Sequence, residues 1–367
     1  PAVTGACLAL YGCALAWSCL ASVLLPYETL APGDSPMRSR TSGTAFLAAL
    51  IQMAAILLLL APVICYCILA WRNPMPVGSP GFWRIAQVRA ASVAVILVVA
   101  WCQALATVAF QTITNNRIIT PSIMGFESLY RLLQTSIVFF FGITGLTSMD
   151  STGQYLMQVG LMVALAALLY GWMLRNERAN IHQTLLLGIV IGTGLGALST
   201  YMQNLLNPSA FDVLSARLIG NISNADVSQL RVAIPLALVA GGLLLVMSRT
   251  LDVLGLGRDT AIGLGVDHRR NSLVILMLAA VLMAVSTSLV GPMSFLGFLV
   301  AMTAYQLSDT HEHRFVLPMA WLVGVVILGG AYFILRHIFY ATGSVGIIIE
   351  AVGGTFFLIH LLRKGRL

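Results

Sequence analysis

The sequence predicts an all-α polytopic membrane protein, and three observations carry that prediction. Only 9% of the 367 residues are charged and 59% are hydrophobic, whereas a soluble domain holds about 25% charged residues. The mean hydropathy of +0.92 comes from the whole length rather than from one anchor, so most of the chain lies in hydrocarbon. Apolar runs such as 46–60 are unbroken and lack the alternation of a membrane β-barrel, which leaves helices to satisfy the backbone. A soluble enzyme is excluded.

A helical span takes about 20 apolar residues. Eleven stretches fit: 4–25, 45–70, 90–111, 126–146, 154–174, 183–204, 232–248, 272–290, 295–308, 315–335 and 346–362. No charged segment precedes the first of them, so it reads as a retained span rather than a signal peptide. The connections at 26–40, 71–89 (with Pro74, Pro76 and Pro80) and 207–231 are loops, none long enough for a separate globular domain.

The net charge of +7 comes from 20 Lys and Arg scattered over the connections without a dense run. That pattern speaks for membrane topology and against nucleic acid. Alternating the spans puts 13 of the 20 on the side of Arg38, Arg117, Arg175, Arg249 and the C-terminus, and 6 on the side of Arg84, Arg89 and Arg336. The richer side is cytoplasmic, which places the C-terminus inside and the N-terminus outside. The six cysteines, Cys7, Cys13, Cys19, Cys65, Cys67 and Cys102, all fall in apolar stretches without a CxxC spacing. They read as small membrane residues rather than metal ligands.

Motifs for soluble catalysis are missing: there is no GxxxxGK[ST], HExxH or GxSxG, hence no ATPase site. His311-Glu312-His313 reads as a solvated turn rather than a metal site, since two His at i, i+2 diverge on a helix. Ionisable residues in spans are functional suspects because isolation in hydrocarbon costs a few kcal/mol or more. Glu127 and Arg131 are spaced for an i, i+4 ion pair. Glu350 has no local cation, and either a pathway or inter-subunit role or a buried, protonated structural role fits it. Gly188, Gly192 and Gly196 align on one helix face and admit a close neighbour. The segment 250–271 is amphipathic, glycine-punctuated and too charged to span. A short helix-turn-helix there, carrying Leu254, Leu256, Ala261 and Leu264, presents an apolar face to a protein partner.

Four blocks then carry a family resemblance. They are Phe110-Gln-Thr-Ile-Thr-Asn-Asn-Arg-Ile-Ile-Thr-Pro-Ser-Ile-Met-Gly-Phe-Glu-Ser-Leu-Tyr130, Leu254-Gly-Leu-Gly-Arg-Asp-Thr-Ala-Ile-Gly-Leu-Gly-Val266, Gly291-Pro-Met-Ser-Phe-Leu-Gly-Phe-Leu-Val300, and Gly343-Ser-Val-Gly-Ile with Gly353-Gly354-Thr-Phe-Phe-Leu. In this order they resemble the permease subunits of bacterial ABC importers for iron–siderophore complexes, the FecCD-like family related to the cobalamin importer permease, and most closely its iron-chelate or catecholate branch.

The resemblance implies a ten-span permease domain at 45–367, with residues 1–44 as an additional N-terminal span and loop. It implies a second permease subunit, a cytoplasmic ATPase pair that uses ATP and Mg, and an extracytoplasmic siderophore-binding protein. No cofactor or metal is implied on this chain, because the chelator already holds the iron. The family's coupling helix matches Leu254, Gly257, Arg258, Asp259, Ala261, Leu264 and Gly265. Its binding-protein contacts match Arg89 and Arg336. Arg89-Ala-Ala-Ser92 lacks the family's usual Arg-x-Pro-Arg, and Arg84 is the substitute for the missing arginine. The inner gate matches the segment from Asn180 through Ile181 and His182 to Gln183.

A path for a bulky chelate calls for small, polar and Met side chains, for which Met157, Met162, Met202, Thr193, Ser199 and Thr200 are available together with Glu350. The leading function is therefore a permease of the bacterial cytoplasmic membrane, half of an ATP-driven import pathway. The alternative is a proton- or ion-coupled secondary transporter using Glu350, against which stand the few intramembrane carboxylates and the partner-like segment 250–271.

Overall fold

The computed structural model describes residues 43–71, 79–148, 151–175, 181–222, 225–308, 310–339 and 343–364. Among them lie thirteen α-helices and one 3-10 turn: α1 (Gly43–Ala70), α2 (Pro80–Thr114), the turn Pro121–Met124, α3 (Phe126–Ser148), α4 (Ser151–Arg175), α5 (Ile181–Asn204), α6 (Pro208–Leu218), α7 (Val227–Val246), α8 (Ser248–Leu254), α9 (Arg258–Gly263), α10 (His268–Val290), α11 (Leu296–Ser308), α12 (His313–His337) and α13 (Val345–Lys364). Ten of the eleven predicted stretches coincide with helices. The stretch 4–25, with Cys7, Cys13 and Cys19, lies outside the described residues.

Seven helices combine the length and hydropathy needed to cross a membrane, and α11 and α13 add shorter apolar segments. The fold is a layered bundle around α2 and α10. In their apolar windows 78% and 72% of residues are buried, against 17% in α1, so the first two form the core and α1 presents its side chains outward. α2 packs on α10, α12 and α7; α10 also packs on α4; α3 lies along α5; and α12 joins α1 and α11 to the centre.

Local sequence explains the boundaries. The side chain of Ser79 accepts a hydrogen bond from the Phe82 amide at 3.2 Å, and Pro80 occupies the first turn, where its missing N–H costs nothing. The helix therefore starts ten residues before the predicted span at 90–111, and Arg84 and Arg89 sit in helix rather than loop. Its 35 residues extend about 52 Å at 1.5 Å per residue, beyond the roughly 30 Å of hydrocarbon. Asn115, with φ 50°, closes it. Asp226 and Asp267 cap α7 and α10 by accepting from the amides of Ser228 and Arg270. The helix α6 lies in what the sequence presents as loop 207–231.

Two glycine junctions tie the bundle together. Gly125 follows the 3-10 turn with φ +93°, and a Cβ there would come within 2.9 Å of Gly192 Cα. The face formed by Gly188, Gly192 and Gly196 thus receives this turn and the start of α3. At the second junction, Gly220 meets Gly291 and Gly346: its carbonyl accepts from the Gly346 amide at 3.0 Å and from the Ser344 hydroxyl. A Cβ on Gly220 would lie 2.6 Å from the Pro292 carbonyl oxygen.

Candidate functional site

The segment after α7 breaks three times. Met247 leaves helical geometry with ψ 7°, and Gly257 and Gly265 take φ +97° and +80°, a region that disfavours side chains with a Cβ. The two short helices α8 and α9 result. Their apolar residues divide into two sets rather than forming the single face expected from Leu254, Leu256, Ala261 and Leu264. Leu251, Leu254 and Ala261 are buried, while Leu256, Ile262 and Leu264 are 60%, 54% and 60% exposed. Periodicity does not separate the two sets, because the chain turns between them. The outward set, flanked by exposed Arg258 and Asp259, is the apolar surface available to a partner.

Behind that surface lies a polar connection: in the solvated turn expected at 311–313, His311 and Glu312 are exposed, but His313 turns inward. His313 is 6% exposed. Its Nδ1 is 2.6 Å from Asp252 Oδ1, and since a carboxylate only accepts, Nδ1 carries the hydrogen. The same oxygen accepts from the His313 backbone amide at 2.8 Å. On the far side of the ring, Nε2 is hydrogen-bonded to Thr112 Oγ1 at 2.7 Å. Arg117 lies over the Tyr305 ring, 4.7 Å from its centroid, at the edge of a cavity of about 590 Å³.

At the opposite end of the bundle, Arg89 is buried, and its Nη1 donates to Trp71 O at 2.8 Å, Leu69 O at 3.3 Å and Ile68 O at 3.4 Å. It closes the C-terminal end of α1 and is not a free surface cation. Arg336 is half-buried and donates to Tyr332 Oη at 2.9 Å, and Tyr332 donates to Ser92 Oγ at 3.1 Å. Arg84 is exposed.

The expected pathway residues are spread over several elements. Ile181, His182 and Gln183 make the first turn of α5, and Gln183 is exposed. Met202 and Met162 are buried, at 8% and 0% exposure, while Met157 is 36% exposed. Thr193 and Thr200 are exposed and donate to carbonyls of their own helix, Ile189 O and Gly196 O. Ser199 is instead held between helices, 3.0 Å from Thr135 Oγ1, with Gln203 Nε2 3.0 Å from both hydroxyls. Glu350 is exposed on α13.

Glu127 does not form the expected pair with Arg131. Its Oε2 accepts from Ser294 Oγ at 2.5 Å, a contact that joins the first turn of α3 to the turn before α11, while Arg131 is exposed. No group of three or more His, Cys, Asp or Glu among the described residues is arranged to hold a metal. Cys65 and Cys102 are free thiols.

The profile of the FecCD transport family matches residues 53–363. The chain belongs to the FecCD transport family. It is 43% identical over 330 residues to the petrobactin import system permease protein FatC of Bacillus anthracis, covering 90% of this chain and 92% of that protein. To the petrobactin import system permease protein YclO of Bacillus subtilis it is 36% identical over 278 residues, covering 76% and 88%.

A solved structure described as an inward-facing conformation of a metal-chelate type ABC transporter superposes with a TM-score of 0.73 at 19% identity, covering 86% of this chain and 99% of that one. It shares the fold. This FecCD chain is thus a membrane transport subunit, and both faces of the bundle described above fall within the matched region.

Three residues of these faces escape a reading of the sequence. Asp252 is a lone polar residue between Leu251 and Val253, and Thr112 is one polar residue among several in the block 110–130; their partner is 61 or 201 positions away. Gly220 belongs to no motif, although two of the family blocks, at 291–300 and 343–347, converge on it. For Asp252 a signal exists, since it is the carboxylate on the inward side of an amphipathic segment. For Gly220 there is none.

Proposed function

We propose that this FecCD permease forms half of the pathway of an ATP-driven importer that carries a ferric siderophore of the petrobactin class across the bacterial cytoplasmic membrane. The observation that carries the coupling part is the exposed triad Leu256, Ile262 and Leu264 on a glycine-bounded segment outside the main bundle. An apolar surface of this kind on a charged connection fits a protein groove better than solvent. The petrobactin import named for two relatives at 43% and 36% identity supports the substrate class.

In this reading a second permease completes the pathway, a cytoplasmic ATPase pair binds α8–α9 and supplies ATP and Mg chemistry, and an extracytoplasmic binding protein delivers the chelate. The distribution of Lys and Arg supports a cytoplasmic C-terminus. Gly257, Arg258, Asp259 and Gly265 shape and flank the ATPase contact. Arg336 and Arg84 are the docking cations for the binding protein, while Arg89 holds α1 in place behind them. The α5 turn with Ile181, His182 and Gln183 serves as the inner gate, and Glu350 faces the pathway or the second permease. ATP-driven closure of the ATPase pair changes its contacts with α8–α9, and that difference in contact free energy drives alternating access. The chain performs no covalent chemistry and binds no cofactor of its own.

The test is uptake of radiolabelled ferric petrobactin into proteoliposomes holding the permease, its ATPase and the binding protein. ATP-dependent accumulation is expected. Accumulation without the ATPase overturns the reading.

A further inference from the structure

The inner ends of α2, α8 and α12 meet at one polar point. α12 carries no cap of its own, because Glu312 at the N-cap position makes no side-chain cap bond. The cap comes instead from Asp252 on α8, which accepts from both the backbone amide and the ring Nδ1 of His313. The ring continues to Thr112 on α2, and a Cβ on Gly255, just past α8, would stand 3.4 Å from Thr112 Cγ2. α8 therefore cannot move without changing how the first turn of α12 and the last turn of α2 are held.

Beyond that point α2 and α12 are fastened along their lengths. Trp321 Nε1 donates to Leu97 O at 3.2 Å, a Cβ on Gly324 would lie 3.2 Å from Ala100 Cβ, and Tyr332 bonds Ser92 while Arg336 bonds Tyr332. The pair runs from the coupling segment to the end that carries Arg336. A cavity of about 590 Å³ lies beside Asp252, Leu256, Asn115 and Arg117, on one side of α8, while Leu251 and Leu254 anchor the helix in the core.

We infer that Asp252, His313 and Thr112 are positioning residues for transport, transmitting displacement of α8–α9 into the joined helices α2 and α12 and through them to the opposite face. The inference rests on the reading of α8–α9 as the ATPase contact. The element with two arrangements is the Asp252–His313 contact, made or broken, which is the physical requirement for coupling over distance.

The test uses the complete importer, with permease, ATPase and binding protein in proteoliposomes. Thr112→Val keeps the side-chain shape and deletes the hydroxyl; Thr112→Ser keeps the hydroxyl. Thr112→Val is expected to co-purify with the ATPase and to hydrolyse ATP at the wild-type basal rate, yet to import about tenfold less chelate per ATP, the scale of losing a buried hydroxyl that contacts both His313 Nε2 and Val108 O. Thr112→Ser is expected to restore the ratio. Combining Asp252→Asn with Thr112→Val is expected to add no loss beyond the worse single change, as for residues acting as a unit.

A measurement on the wild-type importer accompanies these. Hydrogen exchange in the peptide that begins α12 is expected to differ by about tenfold between the nucleotide-free and ATP-bound states, since the His313 amide is protected only while Asp252 accepts from it. An unchanged import-to-ATP ratio in Thr112→Val, equal losses in the Val and Ser variants, or identical exchange in the two states overturns the inference alone. Wild-type import without the ATPase overturns the functional reading and this inference with it.

Discussion

Arg89 and Arg336 are both arginines near the same end of the bundle, yet their surroundings give them different work. Arg89 is buried against the last carbonyls of α1, groups that a helix end leaves without partners. Arg89→Ala strands those carbonyls, and a loss of about 2 kcal/mol or more is expected, read as a fall of several degrees in the melting temperature of the purified permease. Arg84→Ala, at an exposed residue, leaves that temperature unchanged, and both Arg84→Ala and Arg336→Ala weaken binding-protein affinity, measured by titration on nanodiscs. Equal effects of Arg89→Ala and Arg84→Ala on melting would remove the distinction. At Gly220 the constraint is steric: Gly220→Ala puts a Cβ 2.6 Å from a backbone oxygen, which no side-chain rotation relieves. It is expected to abolish accumulation of the folded permease in membranes. Gly242→Ala, with nothing within 4 Å of the added atom, is expected to accumulate normally.

Among the elements, α8 and α9 separate into an inner and an outer apolar set, and substitution distinguishes them. Ile262→Asp or Leu264→Asp places a charge on residues more than half exposed, so the permease folds but retains at most about a tenth of the ATPase on co-purification, as when a hot-spot contact is lost. Ala261→Asp buries an unpaired carboxylate and is expected to prevent folding. The sequence makes the segment legible as a glycine-punctuated amphipathic stretch. It does not say which leucines face in, because Gly257, with φ +97°, turns the chain between the two helices and breaks the period that would order them. The same limit applies at the start of α12, where the cap residue belongs to α8. Helix starts with their own caps, as at Ser79, Asp226 and Asp267, are visible within three residues of sequence.

For the whole molecule the question is what drives transport. An ATP-coupled importer needs no titrating group in the pathway, so Glu350→Gln is expected to keep uptake within about twofold of wild type, and a protonophore is expected to leave uptake intact while ATP depletion stops it. A secondary transporter gives the reverse pattern, since its coupling carboxylate is indispensable. The sequence by itself determined the class of the protein, the helical stretches and, through four ordered blocks, the family. Those properties follow from hydropathy, charge counting and local backbone chemistry, all of which act over a few tens of residues. Only the tertiary structure decided that Arg89 closes α1, that Glu127 bonds Ser294 rather than pairing with Arg131, that Gly220 is the point where two family blocks meet, and that Asp252 reaches across to His313 and Thr112. Each of these depends on a partner brought near by packing around α2 and α10, and a residue's own neighbourhood in sequence carries no record of which distant backbone or side chain will lie against it.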